Sequence, residues 1–376
     1  MSKPIYFDYH ATTPCDDNVI AAMLPYFSEQ FGNPHASLNK HGRQAADAVN
    51  TAKEQIGALL NAPASSFTMT SGATEANNIA LLGQQIEDDN RTEILISALE
   101  HDSIWNCIPA LKNKGFTVKT IPANAQGLIT ENSLKDLISD KTKLVSVMTV
   151  NHEIGTIQPI SALADIAHTH GALFHTDAAQ AVGKIAVDIC DTSIDLLSLS
   201  GHKCYGPMGV GALYTRSKPP ISLHPISCGG RQQKLRSGTI PLPLVVGLGK
   251  AASIAQSRIT DDQKHLRGLT QTLCDKFKKQ NPNIHWNGTL EHRIPGSLNF
   301  ILPNTSTEDV LLSCIDSISL STGSACGTGN SKPSRILQAI GLSDQEIHQS
   351  IRLSMGRHTT KNDIDILFEK LIPYLN

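Results

Sequence analysis

From about residue 66 to residue 215 the chain alternates short apolar runs with helical patterns, and no other feature constrains its fold as much. The segments 66–70, 93–98, 116–121, 144–150, 172–176, 195–200 and 210–215 read as strands, with helical patterns at 75–85, 102–112 and 160–169. The run 144–150 (LVSVMTV) is almost unbroken in its apolarity, as a strand covered on both faces must be. Strands alternating with helices predict a mostly parallel sheet wrapped by helices. The pattern changes after residue 245. A helical stretch over 245–280 precedes strands at 297–302, 317–320 and 350–354 and helices at 307–315, 334–340 and 361–371. That set predicts a smaller α+β domain, with the boundary near residue 255.

A length of 376 residues suits two domains. With 40% hydrophobic residues, the chain carries enough apolar surface for packed cores, so global disorder is excluded. Lys and Arg total 32 against 34 Asp and Glu, which excludes a basic coat for nucleic acid or a polybasic membrane anchor. No apolar run approaches the ~20 residues of a membrane span. The opening MSKPIYFDYH has no secretory pattern. None of the eight cysteines forms a CxxC, and none pairs at a zinc-site spacing. Reduced thiols and a cytoplasmic location are the expectation.

Four polar features stand out against this background. Ser71-Gly72-Ala73-Thr74-Glu75 lies where a strand turns into a helix. It reads either as an ordinary capped helix start or as a phosphate cradle of free N–H groups. Asp177, in His175-Thr176-Asp177-Ala178-Ala179-Gln180, directly follows a buried strand. It reads either as a helix cap or as the partner of a protonated ring nitrogen, since a buried carboxylate is costly unpaired. His168, His170, His175 and Asp177 mimic a metal cluster, but His168 and His170 stand two apart and do not share a helix face, so no metal site is expected.

Lys203 follows the strand 195–200 and is flanked by His202 and a Gly/Pro turn. Most lysines are simply solvated. One with a lowered pKa forms Schiff bases, and an Asp and a Lys one βαβ step apart match what pyridoxal phosphate requires. The fourth feature, Ser321-Thr322-Gly323-Ser324-Ala325-Cys326-Gly327-Thr328-Gly329-Asn330, is too small and polar to build a core. Its cysteine is expected to be accessible, as a nucleophilic thiol must be, whereas the other seven read as small buried hydrophobes.

Together these residues resemble the cysteine desulfurases, the group with a long catalytic loop, within the pyridoxal-phosphate enzymes of aminotransferase class V. The resemblance rests on YFDYHATTP at Tyr6–Pro14, FGNP at Phe31–Pro34, TSGATEANN at Thr70–Asn78, EH at Glu100–His101, EIG at Glu153–Gly155, DAAQ at Asp177–Gln180, SGHK at Ser200–Lys203, RSGT at Arg236–Thr239, GSAC at Gly323–Cys326 and SIRLSMG at Ser350–Gly356. It implies the aspartate-aminotransferase-like fold. A large cofactor domain, 14–255, would hold a mostly parallel seven-stranded sheet, and a small α+β domain would combine 1–13 with 256–376.

The resemblance also implies a homodimer that converts L-cysteine to L-alanine and passes the sulfur on as a persulfide. Lys203 would be the Schiff-base lysine, Asp177 the partner of the pyridine nitrogen, and His101 the group stacked on the ring and active in proton transfer. Gln180 would contact the phenolic oxygen. Ala73, Thr74, Ser200 and His202 would hold the phosphate, with Thr239 from the other subunit. Arg352 would clamp the substrate carboxylate with Asn33 nearby, and Cys326 would accept the sulfur. The final acceptor, in iron–sulfur assembly, tRNA thiolation or DNA sulfur modification, stays open. Neither a membrane nor a nucleic acid is an expected direct partner.

Three departures matter. The family's Asn-Asn before EIG is Asn151-His152 here, which puts a bulkier, titratable ring where the second Asn contacts the phenolic oxygen, and His152 is therefore taken as a cofactor contact. Cys228-Gly229-Gly230-Arg231-Gln232-Gln233 departs from a glycine-richer version. The sequence also stops at Asn376, soon after the last helix, where scaffold-serving members often carry a longer tail. The competing readings are a selenocysteine lyase or other β-lyase, which need not store sulfur on a cysteine, and an inactive scaffold, which need not keep Lys203, Asp177 and Cys326.

Overall fold

The structure, a computed structural model, describes residues 4–86, 90–230, 232–321 and 333–375. The strands are β1 (Ile5–Tyr6), β2 (Phe67–Thr70), β3 (Glu93–Ser97), β4 (Thr117–Ile121), β5 (Thr142–Ser146), β6 (Leu173–Asp177), β7 (Leu196–Ser200), β8 (Gly211–Thr215), β9 (Ser297–Ile301), β10 (Ile318–Ser319) and β11 (Ser350–Ser354). Seven of them form one sheet in the order β2-β8-β7-β6-β5-β3-β4. Only β8 runs against the rest, pairing antiparallel with both β2 and β7. The expectation of a mostly parallel seven-stranded sheet is met.

The sheet is covered on both faces, which is why its strands lack a polar side. Leu95, Val145, Phe174 and Leu197 belong to one apolar cluster, Ile94, Ile96, Leu144 and Leu196 to another, and all are fully buried. At roughly 1.5–3 kcal/mol per large buried side chain, these layers carry most of the folding drive.

The strand expected over 144–150 ends at Ser146 as a ladder, for a local reason. β3 stops at Ser97, so beyond Ser146 the chain keeps a neighbour on one side only: Val147 and Thr149 donate to the carbonyls of His175 and Asp177. The helix expected over 102–112 is two short helices, Asp102–Trp105 and Ile108–Asn113. Pro109 explains the break, because it cannot donate to the Trp105 carbonyl four residues back and its ring crowds that group.

The helix Leu242–Gln280 runs for 39 residues without interruption. Its first half packs on the helix Lys40–Leu60, through close approaches such as Gly249 against Ala52. Its second half supplies Leu269, Leu273 and Phe277 to a separate core with Phe7, Leu298, Phe300, Leu353 and Leu367. In that region β9 and β11 pair antiparallel, and β1 pairs parallel with β10. The first residues of the chain thus join the last third. Ile336, Leu337, Ile340 and Ile347, by contrast, pack into the core of the large sheet. A short helix at Asp344–His348, closed by a Ser343/Glu346 capping box, was not anticipated.

Candidate active site

The parallel strands end on one side of the sheet, and the polar motifs gather there around a cleft of about 1580 Å³. This is where an open α/β sheet places ligands. Of the residues singled out in the sequence, Ala73, Thr74, His101, His152, Asp177, Gln180, Ser200, His202, Lys203 and Arg352 all line it. Thr239 and Asn33 do not; both are exposed elsewhere on the surface. Cys326 and its glycine-rich segment lie outside the described residues.

β6 delivers Asp177 at its last position, nearly buried. Its Oδ2 accepts from Asn77 Nδ2 at 2.7 Å and its Oδ1 from the Ala179 N–H at 2.9 Å. β7 ends at Ser200, and a 3-10 turn, Gly201–Lys203, swings the lysine into the cleft. Lys203 Nζ donates to the carbonyls of His10 (2.5 Å) and Ala11 (2.7 Å), on the N-terminal strap that crosses the cleft. Burial, reinforced by the Arg352 charge, pulls its pKa down to about 8, against the opposing pull of Asp177 and Asp8. The site therefore holds an amine ready to lose its proton, which is what a nucleophilic lysine needs.

The phosphate-cradle reading of the helix Ala73–Leu82 has support beyond its first-turn N–H groups. Gly72, at its N-cap, has φ +156, and a Cβ there would point to within 3.8 Å of Ser200 Oγ, into the space that Thr74 and His202 also border. Burial and the Lys203 charge pull the pKa of His202 down to about 4, so its ring is neutral.

His101 caps the helix Asp102–Trp105, its Nδ1 accepting the Ser103 N–H at 3.0 Å. Its ring meets the His152 ring edge-on, with centroids 5.1 Å apart. Burial, followed by the charges of His101 and Arg352, holds His152 well below the usual imidazole range. The sequence pointed to a ring that can charge near neutral pH; the structure keeps it neutral. Its Nδ1 is buried and has no partner among the described residues.

β11 places Arg352, whose Nη2 donates to Asp8 Oδ1 at 2.7 Å and to Ser321 Oγ at 3.1 Å, and whose Nη1 donates to the His152 carbonyl at 3.2 Å. Gln180 donates to the His10 carbonyl and accepts from Lys184, so its amide orientation is set.

Several contributors escaped the sequence reading. Asp8 and His10 stood in a quoted motif without assigned work. Arg335 lies over the Trp105 ring, 4.1 Å from its centroid, and donates to the carbonyls of Ala98 and Glu100. Ser334 Oγ donates to Glu153 at 2.6 Å. The seven cysteines expected to be buried are not uniformly so: Cys107, Cys204, Cys274 and Cys314 are, whereas Cys190 and Cys228 are exposed and Cys15 is intermediate. Burial pushes the thiols of Cys107, Cys204 and Cys274 up to about 11. Of the histidines that mimic a metal cluster, His168 pairs with Asp195 at 2.8 Å, and His175 lies between Ser146 and Ser198.

These residues fit pyridoxal phosphate. A carboxylate at a strand end, an amine of lowered pKa, a helix N-terminus facing a serine across an open cradle, and an unpartnered imidazole nitrogen are the groups its ring nitrogen, aldehyde, phosphate and phenolic oxygen would use. Among the described residues no helix is long and apolar enough to cross a membrane.

Residues 5–367 match the family model for aminotransferase class-V. The chain is 43% identical over 367 residues to the cysteine desulfurase IscS of Ehrlichia chaffeensis, covering 97% of this chain and 89% of that protein. A NifS-like protein superposes with a TM-score of 0.90 at 31% identity, covering 99% of each chain. The solved structure of SspA in complex with cysteine superposes with a TM-score of 0.80 at 34% identity, covering 95% of this chain and 100% of that one.

Proposed function

The chain belongs to the cysteine desulfurases of the aminotransferase class-V family, and on that premise we propose that it removes sulfur from L-cysteine, releases L-alanine and carries the sulfur as a persulfide on Cys326 to a protein acceptor in iron–sulfur assembly or a thiolation pathway. The observation that carries the reading is the convergence of Asp177, Lys203, His101 and Arg352 on one cleft. We read the cofactor as pyridoxal phosphate, the working form as a homodimer in which Thr239 of one copy serves the other, and the location as cytoplasmic. The division into 14–255 and 1–13 with 256–376 is part of the same proposal, supported by the separate core that Phe7 shares with the last third of the chain.

Bound pyridoxal phosphate supplies an electron sink conjugated to the substrate carbon. Ala73, Thr74, Ser200 and His202 would hold its phosphate, Asp177 would keep its ring nitrogen charged, and Gln180 and His152 would serve its phenolic oxygen. Arg352 meets the substrate carboxylate with a planar fork, exchanging its bond to Asp8 for one to the ligand.

Lys203 takes the Cα proton and returns it, work suited to an amine of pKa about 8. The Cys326 thiolate forms a bond to the substrate sulfur as the Cβ–S bond breaks. The electron pair of that bond stays with carbon and, with a proton relayed by His101, completes the methyl group of alanine. Cysteine and one thiol thus become alanine and one persulfide, with no outside oxidant.

The test is to supply pyridoxal phosphate and L-cysteine and measure alanine together with the peptide that carries the extra sulfur. Equal alanine and sulfur on the Cys326 peptide, both lost in Cys326→Ser, is the expected result. Full alanine release by Cys326→Ser would move the assignment to a β-lyase.

A further inference from the structure

Asn77 is fully buried on the inner side of the helix Ala73–Leu82, and its amide nitrogen makes two bonds: to Asp177 Oδ2 at 2.7 Å and to Ser103 Oγ at 2.9 Å. Ser103 Oγ in turn lies 2.9 Å from His101 Nδ1, which also receives the Ser103 backbone N–H at 3.0 Å. At the amide end these contacts leave no freedom in who donates. An amide nitrogen only donates, so Asp177 and Ser103 Oγ both accept from Asn77. The backbone N–H on Nδ1 favours its unprotonated form, and in that form the Ser103 hydroxyl adds a second donor to the same nitrogen. The amide cannot turn over, because that would set its oxygen against the Asp177 carboxylate. Asn77 Oδ1 is left buried and without a partner among the described residues, a cost accepted because the reverse orientation is worse.

We infer that Asn77 and Ser103 are positioning residues that hold neutral His101 in the tautomer with its proton on Nε2 and tie that ring to Asp177. The inference rests on the reading above, in which His101 and Asp177 flank the cofactor. It adds that His101 meets the reacting atoms through an Nε2–H donor, and that its proton inventory is set from the far side of the ring by a chain ending on the carboxylate. A hydroxyl alone would serve either tautomer; Asn77 fills one of its two acceptor positions and so biases Ser103 toward donating to Nδ1.

The test is made on cofactor-free protein labelled with ¹⁵N-histidine, reading the two ring nitrogens of His101 by long-range proton–nitrogen correlation at a pH where the ring is neutral. Wild type shows Nε2–H alone. Ser103→Ala and Asn77→Ala show a mixture of tautomers, and Ser103→Thr restores the single form. Wild type with its proton on Nδ1, or Ser103→Ala with an unmixed Nε2–H signal, overturns the inference. With pyridoxal phosphate and cysteine, Ser103→Ala lowers kcat on the order of 10-fold with KM little changed, part of the 10²–10⁴ that a positioned acid–base group supplies. The tautomer is read without cofactor or turnover, so failure of the desulfurase reading, seen as no alanine from wild type, is a separate result.

Discussion

Glu100 Oε1 accepts the backbone N–H of Met148 at 2.7 Å, where β3 has already ended and no strand remains to take it, and it also takes the Ser97 hydroxyl at 2.6 Å. The other carboxyl oxygen is buried without a partner among the described residues. Burial, aided by the Asp177 charge, raises this carboxyl to about 8. At neutral pH Glu100 is thus mostly protonated.

A stability profile follows from that. Between the ordinary value of 4.5 and about 8, the folded protein holds the Glu100 proton and the unfolded chain does not. The native advantage is complete below 4.5 and declines as pH rises through this window. Glu100→Gln keeps the two accepted bonds and cannot ionise. Cofactor-free Glu100→Gln should melt at least about 3 °C above wild type at alkaline pH, with the gap closing toward acid. A gap that ignores pH would show that Glu100 is charged.

Lys203 gives a kinetic counterpart. Its amine form appears around pH 8 rather than near the ordinary 10.5. Capture of pyridoxal phosphate by the cofactor-free protein, trapped with borohydride, should therefore rise with a midpoint near that lower value. Lys203→Ala should give no trapped adduct and no turnover. A stable label on another lysine, such as Lys184, would reassign the residue.

His152 is held neutral, so it cannot be the source of a neutral-range titration. His152→Asn should retain most activity and shift the position of the cofactor absorption band while leaving its pH dependence above the imidazole range unmoved. A displaced midpoint would mean that the ring charges after all.

Arg352 engages Asp8, Ser321 and the His152 carbonyl with a rigid fork that an ammonium cannot reproduce. Arg352→Lys should raise KM for cysteine by roughly tenfold or more, the order of one charge-assisted bond lost. An unchanged KM would place the substrate carboxylate elsewhere.

The exposed thiols supply a control. Cys190 and Cys228 should alkylate readily in the resting protein, and the double replacement by serine should keep full alanine production and full persulfide on Cys326. Loss of sulfur transfer in the double variant would assign one of them a part in it.

The sequence by itself determined the layer architecture and the cast of the site. Period and apolarity are local properties, so the runs at β3, β6, β7 and β11 and the helices Ile160–Thr169 and Lys361–Leu371 were legible within a residue or two. Asp177, Lys203 and the turn at Gly72 were legible because a polar group directly after a buried strand must serve something. What tertiary structure alone decided depends on where distant segments meet. The protonation of Glu100 comes from its burial just past the ends of β3 and β5, where one carboxyl meets the Met148 N–H that no strand takes and water is shut out. The neutrality of His152 comes from burial beside His101 and Arg352, far apart in sequence. The chain of hydrogen bonds from Asp177 through Asn77 and Ser103 to His101 arises only when the helix Ala73–Leu82 is laid against β6 and the turn after β3. Exposure of Cys190 and Cys228 is likewise set by which surfaces the fold leaves uncovered. Composition and spacing name the residues, but burial, which sets the cost of charge, and contact, which sets who donates, exist only once the chain is packed.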